Sequence, residues 1–130
     1  MRIRNLRRMI VVALVACVVL AAAGWGYFHW RIQSELVRCC VMAQAAHPNP
    51  ADNVAALTAF VQSPAQTLPD RNNAVWALGQ CRDGRALEVL RRHYTGQPCN
   101  HDCDLCQREL DKAIRLCSGQ TPNFLCIRTP

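Results

Sequence analysis

Cysteine is the residue type whose number and spacing point most directly to chemistry in this chain of 130 residues, because it occurs nine times. Three of the nine form the cluster Cys99-x3-Cys103-x2-Cys106, and His101 lies within it. Thiolates and imidazoles at short spacings are the usual ligands of tetrahedral zinc. The cluster is therefore a candidate metal-binding or thiol-redox site, in which Cys99, His101, Cys103 and Cys106 are the four candidate zinc ligands.

Disulfide bonds are the competing interpretation of the same cysteines. Without Cys17, which lies in an apolar segment, eight remain. An even number is typical of a disulfide framework in an oxidising compartment, where each bond would stabilise a small domain by ~2–4 kcal/mol. Eight cysteines allow about 105 pairings, so the connectivity stays open. The disulfide candidates are Cys39, Cys40, Cys81, Cys99, Cys103, Cys106, Cys117 and Cys126.

Helix geometry limits these pairings. Side chains of Cys39 and Cys40 point ~100° apart on a helix and are expected to have different partners. The preferred pairs are Cys117 with Cys126, Cys99 with Cys103 or Cys106, and Cys81 with Cys39 or Cys40.

The spacing of the cluster is also that of the iron–sulfur ligands in radical SAM enzymes. Those enzymes need a partial barrel of roughly 200 residues after the cluster, and only 24 residues follow Cys106 here. That interpretation is rejected. Zinc remains the alternative to disulfides, chiefly for a domain that faces the cytoplasm.

The compartment depends on the segment from Met9 to Trp30, which contains no Asp, Glu, Lys or Arg. As a helix its 22 residues would be about 33 Å long, enough to cross a bilayer. Arginines precede the segment and aromatic residues end it, a pattern that predicts a single-pass anchor with a cytoplasmic amino terminus. The domain that follows would then be extracytoplasmic, which means periplasmic if the protein is an inner-membrane protein of a bacterium. The residues concerned are Arg2, Arg4, Arg7 and Arg8, followed by Trp25, Tyr27, Phe28 and Trp30.

Two alternatives to a retained anchor stay open. The same segment has the basic, apolar and small-residue regions of a cleaved signal peptide, with Ala21-Ala22-Ala23 as the cleavage region. Leu14-Val15-Ala16-Cys17 resembles a bacterial lipobox, which would place a lipid on Cys17. The retained anchor is preferred because the aromatic residues would lie at the membrane interface.

The net charge of +6 does not indicate nucleic-acid binding. Four basic residues precede the anchor, and from Arg31 onward eleven basic residues face nine acidic ones, a net charge of +2. A nearly balanced surface is not a nucleic-acid footprint. No small-molecule substrate is evident, and the isolated histidines predict no hydrolase triad and no catalytic residue.

The apolar pattern predicts an all-α chain with four regions: a basic terminus at 1–8, the transmembrane anchor at 9–30, a helical domain at 31–119 and an irregular tail at 120–130. The anchor helix is expected to continue to Ala46 and to end before His47-Pro48. Further helices are predicted from Pro50 to about Gln62 with Asn49 as N-cap, to about Cys81 with Asp70 as N-cap, from Arg85 to Tyr94, and from about Asp102 to Cys117. The apolar residues that recur at helical spacing are expected to form the core: Leu36, Cys39, Cys40 and Ala43; Val54, Leu57, Phe60 and Val61; Ala74, Val75, Leu78 and Cys81; Ala86, Leu87, Val89 and Leu90; and Cys106, Leu110, Ala113, Ile114 and Cys117.

The stretch from Asn72 to Leu90, NNAVWALGQCRDGRALEVL, resembles a short bacterial HEAT repeat related to the phycobilisome-lyase HEAT-like repeats. The resemblance rests on an Ala- and Leu-rich first helix, an Asp-Gly turn and a second helix that opens with Arg-Ala-Leu. It implies an α-solenoid that binds proteins and has no catalytic residues or cofactor. About three such repeats are normally needed for stability, so disulfides are expected to brace this short array.

The sequence therefore predicts a membrane-anchored, disulfide-braced HEAT-like module that binds or scaffolds a protein partner. It would act without catalysis. An alternative with the same fold is an accessory subunit of a membrane complex. Trp76 is expected to be either a core residue or a binding anchor.

Overall fold

The computed structural model describes residues 2–49, 52–100 and 103–120, and every regular element in those ranges is helical. The all-α prediction is thus confirmed for the described residues. The chain divides into two compact units, Met1–Ser34 and Glu35–Pro130. The helices are α1 (Arg2–Ala46), α2 (Asn53–Gln62), α3 (Leu68–Cys81), a 3-10 turn (Gly84–Ala86), α4 (Leu87–His93) and α5 (Gln107–Cys117).

The first unit is helical and its large apolar side chains are exposed. From Met9, at 70% exposed, to Trp30, at 61%, every large apolar side chain is more than half exposed. Among the described residues one helix is long and apolar enough to cross a membrane, within Leu6–Ala46, and a signal sequence has the same property. The membrane-span prediction is confirmed at that level, and the choice between anchor and signal peptide stays a prediction.

In the second unit, α1 supplies one side of the core. Its buried residues Leu36, Cys39, Cys40 and Ala43 are the ones that the three- and four-residue spacing predicts. The helix ends at Ala46, before Pro48, as expected. Gln44 then holds the turn, because its side chain both donates to the Asn49 carbonyl and accepts the Asn49 N–H, each at 2.8 Å.

Helix α2 begins later than predicted. Its N-cap is Asp52, whose carboxylate accepts the Ala55 N–H at 3.0 Å, so Asn49 is not the cap. The physical reason is that the Asn49 backbone is bonded to Gln44 and belongs to the preceding turn. Pro50 lies outside the described residues. The predicted buried residues of α2 are confirmed: Val54, Leu57, Phe60 and Val61.

Helix α3 begins at Leu68, two residues before the predicted cap. Thr67 is the N-cap instead, and Asp70 lies in the first turn. The Thr67 hydroxyl accepts the Asp70 N–H at 3.3 Å and donates to the Asp70 carboxylate at 2.7 Å. Pro69 fits this first turn because its missing N–H would have no partner there.

The last two helices are shorter than predicted at their starts. Gly84–Ala86 is a 3-10 turn, held by the Asp83 carboxylate, which accepts the Arg85 N–H at 2.8 Å. Helix α5 begins at Gln107 and not near Asp102, because the Cys106 N–H is bonded to the Asn72 side chain of α3. It ends at Cys117, as predicted.

Helix α3 lies at the centre of this unit and packs against both α2 and α5. Its contact with α5 is close at Gly79, where an added Cβ would lie 3.0 Å from the Ala113 Cα. Glycine lets the two backbones approach here. Of the predicted core residues, Cys81, Leu87 and Ile114 are only partly buried, although they pack against the core. That these hairpins form a HEAT-type solenoid stays a prediction.

Candidate thiol site

The segment between α4 and α5 carries the cysteine cluster and is held in place by a buried polar side chain. Gln107 is 7% exposed, and its carbonyl oxygen accepts the Thr95 N–H at 2.8 Å. Its amide donates to the His93 and Leu105 carbonyls at 3.2 and 3.1 Å. One side chain thus satisfies three backbone groups near the two ends of the loop, which keeps the loop folded over the start of α5.

Cys99 and Cys106 are brought together at this helix start. Their sulfur atoms lie 3.5 Å apart, and both residues are partly buried. Cys106 is the N-cap residue of α5, and its backbone N–H donates to the Asn72 Oδ1 at 2.8 Å. The predicted disulfide from Cys99 to Cys103 or Cys106 is not confirmed, but the Cys99 and Cys106 thiols are in contact.

The Cys99 sulfur also caps the helix. It accepts the backbone N–H of Arg108 at 3.4 Å, although Cys99 is nine residues away in sequence. This hydrogen bond, together with the Cys106 thiol and the nearby Arg108 charge, lowers the pKa of Cys99. The positive end of the helix dipole favours a thiolate in the same way.

Cys103 has different surroundings. It is exposed, and its thiol lies 3.5 Å from the Asp104 carboxylate. Within the described residues, no group of three or more His, Cys, Asp or Glu side chains is arranged to hold a metal ion. His101 lies outside the described residues, so the four-ligand zinc hypothesis stays a prediction.

The remaining cysteines occupy the helical core. Cys39 and Cys40 of α1 and Cys117 of α5 are buried, and Cys81 at the end of α3 is partly buried. Burial raises the pKa of Cys81 to about 12, with smaller contributions in the same direction from Cys40, Cys117 and Asp83. Burial raises the pKa of Cys117 to about 11.

No two cysteine sulfurs in the described part of the chain lie at bonding distance. The predicted bond between Cys81 and Cys39 or Cys40 is therefore not confirmed, although Cys40 contributes to the raised pKa of Cys81. The pair Cys117–Cys126 cannot be placed, because Cys126 lies outside the described residues. Cys17 is exposed within α1.

Sequence reasoning missed the residues that position the thiols. Asn72 and Gln107 are uncharged polar residues in helices and show no motif. No signal in the sequence distinguishes them from the other polar residues of α3 and α5.

Comparison of the chain with protein-family models, with curated proteins and with solved structures finds no match. The resemblance to HEAT repeats therefore rests on the residues quoted above.

Proposed function

We propose that the protein is a single-pass membrane protein whose disulfide-braced, HEAT-like helical domain lies outside the cytoplasm and binds a protein partner without catalysis. The observation that carries the proposal is the exposure of every large apolar side chain from Met9 to Trp30. Such a surface is unfavourable in water and suits a lipid environment. The four arginines before it favour a cytoplasmic amino terminus.

A groove between α1 and α3 is the surface that best suits a protein partner. It has a volume of about 280 Å³ and is lined by Glu35, Arg38, Cys39, Asn73 and Trp76. Trp76 is partly buried and packs against the core. A partly buried aromatic residue with an ion pair between Glu35 and Arg38 beside it, at 3.0 Å, has the composition of an interface anchor with a polar rim.

The buried cysteines support the bracing part of the proposal. Cys40, Cys81 and Cys117 come from three different helices, and both Cys40 and Cys117 act electrostatically on Cys81. A bond between any two of them would join two helices of a short array, which is the restraint that two hairpins need.

Topology is tested first, with the full chain carrying a carboxyl-terminal alkaline phosphatase, which is active only outside the cytoplasm. We expect activity in the membrane fraction that survives alkaline washing. A matched variant with Arg2, Arg4, Arg7 and Arg8 changed to Ala should lose orientation and activity. Activity of a fluorescent cytoplasmic reporter in place of the phosphatase would overturn the topology.

Bracing is tested by counting free thiols under denaturant before and after reduction. Zero or one free thiol before reduction is expected for a bridged domain. Four or more free thiols, together with stoichiometric zinc, would contradict the disulfides and support the metal site.

Partner binding is tested with a photo-crosslinking amino acid at Asn73, which lines the groove, and at Arg92, which is exposed on α4. We expect a discrete adduct at the groove position and none at the control position. Equal labelling at both positions, or migration as an uncrosslinked monomer after mild detergent extraction, would contradict a partner-binding groove. A partner that copurifies through the membrane would indicate an accessory subunit.

A further inference from the structure

We propose that Cys99 and Cys106 form a thiol–disulfide exchange site, in which Cys99 attacks a disulfide of a partner protein and Cys106 resolves the mixed disulfide. The inference concerns the chemistry of the loop and does not depend on the binding function proposed above or on the side of the membrane that the domain occupies.

The distance between the two sulfurs carries the resolving step. They lie 3.5 Å apart, so an approach of about 1.5 Å would bring them to the ~2.05 Å of a disulfide bond. Cys99 belongs to the irregular segment after α4, whereas Cys106 is fixed to Asn72 at the start of α5. Movement of the Cys99 side is therefore enough to close the bond.

The helix start supports the attacking role of Cys99. Its sulfur accepts the Arg108 N–H at 3.4 Å and faces the Cys106 thiol. Both interactions stabilise a thiolate, which is the nucleophile in exchange reactions, and they agree with the lowered pKa of Cys99. The Cys106 thiol would donate a hydrogen bond to this thiolate until the resolving step, when Cys106 itself becomes the nucleophile.

A partner disulfide can reach this sulfur through an open groove of about 300 Å³. Cys99 lines the groove together with Tyr94, Gly96, Pro98 and Arg108. Tyr94 is 40% exposed and offers an aromatic surface to a partner peptide.

The reaction balances without a further reagent. The Cys99 thiolate attacks one sulfur of the partner disulfide, the partner S–S bond breaks, and the partner's other sulfur leaves as a thiolate that takes up a proton. Cys106 then loses its proton to solvent and attacks the Cys99 sulfur, which releases the second partner thiol. The partner disulfide is reduced to a dithiol, and Cys99 and Cys106 are oxidised to a disulfide.

Cys103 provides an internal control. It is more exposed than Cys99, but its thiol donates to the Asp104 carboxylate at 3.5 Å, whereas the Cys99 sulfur accepts a helix N–H. Simple exposure would make Cys103 the faster thiol, whereas the geometry of the helix start makes Cys99 the faster one.

The test uses the reduced full chain in detergent with oxidised glutathione as the probe. We expect Cys106→Ser to accumulate one glutathione on Cys99, located by mass spectrometry, whereas the unchanged chain releases it and forms the Cys99–Cys106 bond. Cys99→Ser should react at least about threefold more slowly than Cys103→Ser, the matched control, because the nucleophile is lost. Circular dichroism checks that each variant folds, and Cys106→Ala serves if the serine variant does not.

Three results would overturn the proposal. One is faster glutathione addition at Cys103 than at Cys99. Another is failure of the Cys106 variants to trap a mixed disulfide. The third is a Cys99–Cys106 bond that, once formed, is not reduced by excess reduced glutathione. Such a bond would be a structural disulfide.

Discussion

The cysteines at the two ends of α5 carry the same side chain in opposite surroundings. At the amino end, the Cys99 sulfur accepts a helix N–H and its pKa is lowered. At the carboxyl end, the buried Cys117 thiol donates to the Leu78 carbonyl at 3.4 Å, and its pKa is raised to about 11. The helix dipole favours a thiolate at the first position and disfavours one at the second.

The comparison teaches that cysteine count alone does not define a role. In their reduced form, the core thiols, Cys81 and Cys117 among them, are small apolar groups that fill space between helices. The loop thiols are held by hydrogen bonds at a surface groove. Burial disfavours the thiolate of the core cysteines, whereas helix capping favours the thiolate of Cys99.

The largest expected effect comes from raising the pH of the reduced protein from about 8 to about 10. Unfolded thiols ionise near 8.5, whereas folded Cys81 and Cys117 have pKa values of about 12 and about 11. Below the unfolded pKa these thiols are neutral in both states and burying them costs nothing. As the pH rises from there toward the folded pKa values, the unfolded thiols ionise and the folded ones do not, so the free energy of unfolding falls. After allowance for solvent screening, we expect the free energy of unfolding to fall by about 2–4 kcal/mol in urea titrations.

The matched control is the double variant with Cys81→Ala and Cys117→Ala, whose stability should change much less over the same pH range. An equally steep loss in that variant would show that other groups cause it, and the contrast between core and loop thiols would fail.

Substitution Gly79→Ala tests whether the core contact is independent of the loop. The added methyl would lie 3.0 Å from the Ala113 Cα, so α3 and α5 must separate, and we expect a loss of about 1–3 kcal/mol. The alkylation rate of Cys99 should not change. Gly84→Ala is the control, since nothing lies within 4 Å of the added carbon, and equal losses in both variants would refute the close-contact explanation.

Substitution Gln107→Leu tests whether the loop can be disturbed without disturbing the helical core. It removes the partners of the Thr95 N–H and of two carbonyls, for an expected loss of roughly 1–2 kcal/mol. Alkylation of Cys99 should change, while Cys117 stays protected. Gln97→Leu alters an exposed side chain in the same loop and should leave both unchanged. Loss of Cys117 protection in the Gln107 variant would mean that loop and core unfold together.

The smallest expected effect is that of Asn72→Ala. It removes the acceptor of the Cys106 N–H and should cost about 0.5–1.5 kcal/mol. Cys99 should still be alkylated at its usual rate, but the Cys99–Cys106 bond should form more slowly, because Cys106 is no longer fixed. Asn73→Ala, one residue along and exposed, is the control. A slower first alkylation of Cys99 would show that Asn72 acts on both thiols.

Periodicity was enough to predict most of the helices and their buried faces. The stripe of Leu36, Cys39, Cys40 and Ala43 was read correctly, and so was the end of α1 before Pro48. Helix starts were read less well: Asp52 and Thr67 are the caps, not Asn49 and Asp70. Several polar residues near a helix start are chemically able to cap it, and the choice depends on which backbone groups are already bonded.

The sequence by itself determined the all-helical pattern, the apolar segment from Met9 to Trp30 and the spacing of the cysteine cluster, because each depends on residues that are close along the chain. Only the tertiary structure decided which thiols meet. Asn72 reaches Cys106 across 34 residues, and Cys117 reaches the Leu78 carbonyl across 39. The pKa of a thiol depends on the charges, hydrogen bonds and solvent within a few ångströms, and the packing of helices distant in sequence supplies those surroundings.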